Sequence, residues 1–328
     1  MRFLVVAIVS SFIFTPNMFG ASPSSFAAPL PTFNDFGRVD RERRASGQLQ
    51  TAESLELTRV DPALILRTAE QHSDDMQIQW GAAELLTDWI QKQAQFETAL
   101  AVSGTNTGIV LRFGCTAARA GQSDLARTWL RRCENVDPTN AVPWLADLWL
   151  SQKGGTTAKF QSLMTATRFR DYTTEATRAR IRALEAAGYS EYTARRIGSE
   201  TERPVLSMVH ELVRAKTTEP AHLLAGAAES MQHGTFLITE LVGQSLEKTL
   251  LMAQTATATN TEATAVRLEQ LTARRNQIKQ LVADTGRFVV DNATEREMVQ
   301  YYDDALNFGE EEAMKRLATT VRKNPSKN

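Results

Sequence analysis

The chain has 328 residues, which is enough to bury one large core or to form two domains in series. Hydrophobic residues make up 42% and charged residues 23%, the balance of an ordinary globular protein, and this excludes a largely disordered chain. The formal net charge is -1, so no overall field attracts nucleic acid or an anionic membrane, and we expect no nucleic-acid partner.

The first 27 residues have the layout of a secretory signal peptide. Arg2 supplies a positive charge, residues 3–14 are apolar, and residues 25–27 (Ser-Phe-Ala) form a small-x-small cleavage site. The apolar run is shorter than the roughly 20 residues that a membrane-spanning helix needs. We therefore predict cleavage after Ala27 with no stable membrane span afterwards, and an exported protein that is periplasmic or secreted.

The residues after this site are predicted to be a flexible leader, followed by the first helices. Residues 28–58 are rich in Pro, Ser, Gly and charge, and they show no sustained apolar period. Asp61 then offers an N-cap side chain, and Pro62 suits the first helical position, where its missing N–H costs nothing. From 74 to 102 apolar residues recur every three or four positions, a pattern that fits one long helix or two.

Residues 107–140 carry the clearest pattern in the chain, that of a helical hairpin. Apolar residues recur at helical spacing in both halves, Gly121 lies in the loop between them, and Pro138 closes the second helix. The small residues Gly114 and Ala126 allow the two helices to approach closely, and larger side chains beside them fill the remaining space.

This hairpin resembles one tetratricopeptide repeat, a helical hairpin with a period of about 34 residues. The resemblance depends on the following positions: Val110, Phe113, Gly114, Ala117, Gly121, Ala126, Leu130 and Pro138. Ala117 departs from the family, which prefers an aromatic residue there. One period further on, Trp144 takes the place of Val110, but Gly114 and Ala126 have no counterparts, so the neighbouring copies are degenerate. The resemblance implies stacked helical hairpins over 59–173.

The resemblance also implies a partner-binding face. In the family, the inner face of the first helix lines a concave groove, which in this chain would present Leu111, Cys115, Ala118 and Arg119, with Asn140 from the next helix. The subclass that clamps the C-terminal carboxylate of a peptide uses Lys and Asn where this chain has Leu111 and Cys115. We therefore expect a protein or peptide partner that is bound in some other way.

The two cysteines, Cys115 and Cys133, both lie in this hairpin. An exported protein can keep a disulfide, but with the turn at Gly121 the residue that faces Cys133 lies near Leu111, about one turn from Cys115. A disulfide and two buried free thiols both remain open at this point.

Helical patterns continue to the C-terminus without resembling a known family. Two longer helices, at 236–253 and 262–284, are predicted to form an antiparallel pair, and Thr294 with Glu297 forms a capping box for a later helix. The chain is therefore predicted to be all-α, with tetratricopeptide-like stacked hairpins followed by a C-terminal helical region. Its segments are a signal peptide at 1–27, a leader at 28–58, the helical repeats at 59–173 and the C-terminal helices at 174–328.

No motif for catalysis or metal binding stands out in the sequence. His210-Glu211 begins like a zinc-protease helix, but Arg214 stands where the second histidine is required. We expect neither a metal nor a cofactor, and we predict a non-catalytic scaffold that binds a protein or peptide. Two alternatives stay open, namely a cell-envelope protein that self-associates through 236–284 and an enzyme of an unrecognised type.

Overall fold

The computed structural model describes residues 30–46, 52–154, 168–200, 203–218, 221–256 and 261–323. The predicted signal peptide lies outside them. The regular secondary structure of these residues is helical, apart from one β-bridge between Asn140 and Arg168, so the predicted all-α fold is confirmed. None of the described helices combines the length and the apolar character that crossing a membrane requires.

The helices are α1 (Phe33–Ser46), α2 (Ala52–Leu57), α3 (Pro62–Gln71), α4 (Met76–Leu85), α5 (Trp89–Ser103), α6 (Thr107–Arg119), α7 (Ser123–Val136), α8 (Ala141–Gly154), α9 (Thr173–Ala186), α10 (Glu191–Glu200), α11 (Pro204–Arg214), α12 (Ala221–Gln232), α13 (Leu237–Ala256), α14 (Thr261–Asn292), α15 (Glu295–Phe308) and α16 (Glu310–Lys323).

Aspartate side chains determine where several helices begin. Asp61 accepts a hydrogen bond from the backbone N–H of Ala63 at 2.9 Å, which confirms the predicted start of α3. The ambiguous stretch at 74–102 forms two helices rather than one. Helix α4 ends at Leu85. The side chain of Asp88 accepts from the N–H of Gln91 at 3.0 Å and thereby starts α5.

The C-terminal helices largely follow the sequence pattern. The predicted pair at 236–253 and 262–284 corresponds to α13 and α14, although α14 continues to Asn292 instead of ending before Gly286. A glycine inside a helix costs only about 1 kcal/mol relative to alanine, which does not end a long helix. The capping box of Thr294 and Glu297 is present at the start of α15.

The expectation of a flexible leader at 28–58 was wrong for α1. Phe36 and Val39 are buried, and the rings of Phe33 and Phe36 lie 4.9 and 5.9 Å from that of Tyr192 in edge-on contacts. Two aromatic residues and a valine on one helical face are enough to anchor a short helix on the core, even though the rest of α1 is charged.

Helices α4 and α9 approach each other closely, and the approach requires a glycine. A Cβ atom on Gly81 would lie 2.0 Å from the carbonyl oxygen of Ala179 and 2.8 Å from the Cβ of Ala183. The predicted boundary at 173/174 therefore does not separate two cores. Helix α9, which follows the boundary, packs directly on α4, and one hydrophobic cluster includes residues from both sides.

A buried ionic cluster joins four of these helices. The carboxylate of Glu84 on α4 accepts from Arg112 on α6, with Nε–Oε1 at 2.8 Å and Nη2–Oε2 at 2.5 Å. Arg180 on α9 donates to the same carboxylate at 3.3 Å and to the carbonyl of Gly198 on α10 at 2.8 Å. Both arginines are fully buried. Burial would raise the pKa of Glu84, but the charges of the arginines outweigh it and lower the pKa to about 2.

The close approach at Gly81 gives a first prediction. Gly81→Ala should lower the free energy of unfolding by about 3 kcal/mol or more, because backbone atoms of α9 cannot move out of the way of the new methyl group. The measurement is urea denaturation followed by circular dichroism. Gly37→Ala in α1 is the matched control, since its Cβ would meet only the end of the Arg41 side chain at 3.5 Å. Equal effects of the two substitutions would contradict this account.

The ionic cluster gives a second prediction. Glu84→Gln should cost about 3–5 kcal/mol at pH 7, since it leaves two buried arginines without a counter-charge. The folded-state pKa of Glu84 lies below its ordinary value of 4.5, so its stabilisation is complete above that value and is lost as pH falls toward 2. The difference between wild type and variant should therefore shrink between pH 5 and pH 2. Glu70→Gln, at an exposed position, should show no such convergence.

Candidate functional site

Four of the five residues predicted to line a partner-binding groove are buried in this structure. Leu111, Cys115 and Ala118 on α6 are at most 1% exposed, and Asn140 is 1% exposed. Helix α6 is in contact with α5, α7 and α8 and also with α11 from the C-terminal region. The chain thus covers the predicted face with its own helices, and these four side chains are part of the core.

Asn140 organises the start of α8. Its Oδ1 accepts from the backbone N–H of Val142 at 3.2 Å and so caps the start of this helix. The same oxygen accepts from the N–H of Arg170, and the Asn140 amide donates to the Arg170 carbonyl at 2.9 Å. Asn140 therefore ties α8 to the segment that leads into α9.

Arg119 is the one predicted groove residue that reaches the surface, and it is neutralised there. It forms an ion pair with Glu211 of α11. Trp149 of α8 donates from Nε1 to the other carboxylate oxygen of Glu211 at 3.0 Å, and the Arg119 guanidinium lies 5.6 Å from the centre of the Trp149 ring. This cluster holds α6, α8 and α11 together, which explains how α11 is kept over the predicted groove.

The hairpin itself packs as the sequence suggests. Helices α6 and α7 are in contact, and a Cβ on Gly114 would lie 3.2 Å from the side chain of Leu130. Phe113, Ala126 and Leu130 are buried, and Trp144 of the following helix is 9% exposed. Pro138, in contrast, is exposed in the turn after α7.

The two cysteines are free thiols. Cys115 and Cys133 are both buried and unbridged, so of the two possibilities left open the structure has the buried thiols. Burial raises the pKa of each thiol, to about 12 for Cys133, and this keeps both in the unreactive protonated form near neutral pH.

Glu134 is a carboxyl near the surface whose pKa is strongly shifted. Burial raises the pKa of Glu134 on α7 to about 7, and the negative charge of Asp147 on α8 adds to the shift. Arg127 lies 3.5 Å from Asp147 and offsets part of that charge. Among the described residues, no group of three or more His, Cys, Asp and Glu side chains is arranged so that it could hold a metal ion.

Helices α13 and α14 form a rigid antiparallel pair. Arg267 of α14 binds both carboxylate oxygens of Glu247 on α13, at 2.6 and 2.9 Å. Arg274 of α14 does the same with Glu240 at 2.7 and 3.0 Å, and it also contacts Glu311 of α16 at 2.6 Å. Two-pronged arginine–carboxylate pairs fix both distance and orientation, so the two helices are held in one register.

A solvent-open cleft of about 200 Å³ lies between α13 and α14. Its lining residues come from both helices, and they are Gln244, Lys248, Leu271, Thr272, Arg275, Asn276 and Lys279. Leu271 and Gln244 are buried, whereas Lys248 and Lys279 are exposed. The cleft is therefore a preformed surface with an apolar and amide floor and a cationic rim.

The sequence pattern did not single out this cleft as a site. In the sequence, Arg275 lies among the apolar positions of a loose heptad that also contains Leu271 and Ile278. In the structure the two apolar residues are buried, while Arg275 lines the cleft beside them. A charged residue at an otherwise apolar spacing was the available signal.

The chain matches no protein-family model, and it has no match among curated proteins or solved structures. The residues of this chain are thus the basis for a proposed function.

Proposed function

We propose that this protein is an exported, non-catalytic scaffold that binds another polypeptide through the helix pair α13–α14. The layout of residues 1–27 supports export to the periplasm or the cell exterior. We further propose that the hairpin at 107–140 is a tetratricopeptide-like building block whose inner face serves the core of this chain. The burial of Leu111 and Cys115 supports that assignment.

The cleft between α13 and α14 is the observation that carries the proposal. Its volume of about 200 Å³ is below the roughly 300–1,000 Å³ of small-molecule pockets, and it is open along one side. A shallow open groove between two helices suits a segment of polypeptide lying on the surface. The arginine pairs to Glu240 and Glu247 hold the groove in place before a partner arrives, which reduces the entropy lost on binding.

Blocking the cleft gives a third prediction. Thr272→Trp places a large ring in the cleft and should reduce capture of a polypeptide partner by at least about tenfold, which corresponds to about 1.4 kcal/mol. The measurement is recovery of crosslinked polypeptides by the full chain from cell-envelope and secreted extracts. The wild type, Thr272→Trp and the control variant Thr319→Trp should all show the same helical circular dichroism signal.

A matched control is available on α16. Thr272 and Thr319 are both exposed, and each donates from Oγ1 to the backbone carbonyl four residues earlier at 2.8 Å. Thr319→Trp should leave capture unchanged. An equal loss of capture in both variants would show that the cleft is not the binding site. Failure of the wild type to capture any polypeptide would overturn the proposed function itself.

Self-association of the same helix pair is a second candidate function. Met252 on α13 and Val266 on α14 are exposed at 57% and 50%, and Val266 lines a second hollow with Ala263 and Arg267. Exposed apolar side chains on two adjacent helices can be covered by the same surface of a second copy.

This candidate gives a fourth prediction. If the pair mediates self-association, the full chain should sediment as an oligomer and Val266→Asp should shift it to monomer, because a charge would be buried in the interface. Val136→Asp is the control, since Val136 is 59% exposed on α7, away from the pair. A wild-type chain that sediments as a monomer at high concentration would rule this candidate out.

A further inference from the structure

The basic residues of the helix pair whose side chains the structure describes include two contrasting groups. Arg267 and Arg274 form ion pairs with carboxylates on α13 and α16. Lys248, Arg275 and Lys279, which line the cleft, form no ion pair with any carboxylate in the described part of the chain. Adjacent residues Arg274 and Arg275 thus differ completely in their partners. The fold neutralises the first group and leaves the second group facing solvent along one cleft.

The spacing of the cleft residues defines its shape. Leu271, Arg275 and Lys279 recur every four residues on α14, so they follow one face of the helix over about 12 Å. Consecutive members of this row are separated by a rise of about 6 Å. In an extended polypeptide, alternate side chains on one side are separated by about 6.6–6.8 Å. The row therefore matches alternate side chains of an extended chain.

We infer that the cleft between α13 and α14 binds an extended acidic segment of a partner polypeptide, with alternate carboxylates of that segment on Arg275 and Lys279. The inference rests on the proposed function, and it adds the chemical class of the partner. Lys248, on the opposite helix, supplies a third positive charge to the same occupant. Leu271 and Thr272 provide the surface on which the backbone of the segment lies.

The length of the cleft favours a polypeptide over a simple anion, because the row from Leu271 to Lys279 extends over about 12 Å of α14. The Gln244 side chain is 1% exposed and donates from Nε2 to Glu240 at 2.9 Å. Its Oε1 is buried and accepts no hydrogen bond within the part of the chain that the structure describes. Gln244 is thus part of the closed floor of the cleft, and the cations on the rim supply the contacts to an acidic segment.

A direct binding experiment tests this inference. The probe is a fluorescein-labelled peptide of about ten residues that alternates Glu with Gly, and the reference peptide replaces each Glu by Gln. Fluorescence anisotropy with the full chain at about 50 mM salt should show at least tenfold tighter binding of the acidic peptide. The double variant Arg275→Gln/Lys279→Gln should weaken this binding by about tenfold or more.

The control variant is Arg131→Gln/Arg132→Gln on α7. It also removes two positive charges, but from an exposed helix face outside the cleft. It should leave peptide affinity within about twofold of wild type. Equal weakening in both variants would show a general charge effect and overturn the inference. A competition experiment tests whether the ligand is a polypeptide. If sulfate displaces the labelled peptide as effectively as an excess of unlabelled acidic peptide, the assignment to a polypeptide is overturned.

The outcomes of the two experiments are separable. Absence of acidic-peptide binding, together with partner capture that Thr272→Trp abolishes, would overturn the acidic partner and leave the proposed function supported. Acidic-peptide binding that depends on Arg275 and Lys279, together with no partner capture by the full chain, would overturn the proposed function and support the chemistry of the cleft.

Discussion

The structure depends on one buried carboxylate that two buried arginines share. Glu84 lies on α4, while its partners Arg112 and Arg180 lie on α6 and α9, so the contact joins helices up to 96 residues apart in sequence. Each arginine would be costly to bury alone, and the shared carboxylate with the carbonyl of Gly198 gives them hydrogen-bonding partners. Since α9 also approaches α4 closely at Gly81, charge and packing act at the same interface. This interface joins residues on both sides of the predicted boundary near residue 173.

That arrangement explains why the residues of the predicted groove are buried. A helical hairpin cannot bury its own apolar face and needs neighbours. In this chain the inner face of α6 is buried among other helices of the same chain, and the ion pair of Arg119 with Glu211 links α6 to α11. Residues such as Leu111 and Cys115 are consequently core residues. The partner surface that we propose therefore lies elsewhere, on the helix pair α13–α14.

The helix pair shows how a fold can build a charged surface at a fixed position. Arg267 and Arg274 use their charges to hold α14 on α13 and α16, and this internal pairing makes the cleft rigid. The cations that remain, Arg275 and Lys279, follow the same helix one turn apart and face solvent. Positive charges concentrated on a rigid groove favour an acidic partner through complementarity and faster association, even though the whole chain has a net charge of only -1.

The sequence by itself determined the all-α class, the start of α3 at Asp61, the hairpin at 107–140 and the capping box of α15. These features depend on side chains within a few residues of one another, and such local hydrogen bonds and spacings can be read along the chain. Only the tertiary structure decided that Phe36 anchors α1, that the inner face of α6 is buried, and that the basic residues of α14 divide into paired and unpaired groups. Each of these outcomes depends on which distant helix packs against which face, and periodicity within one segment carries no information about that choice.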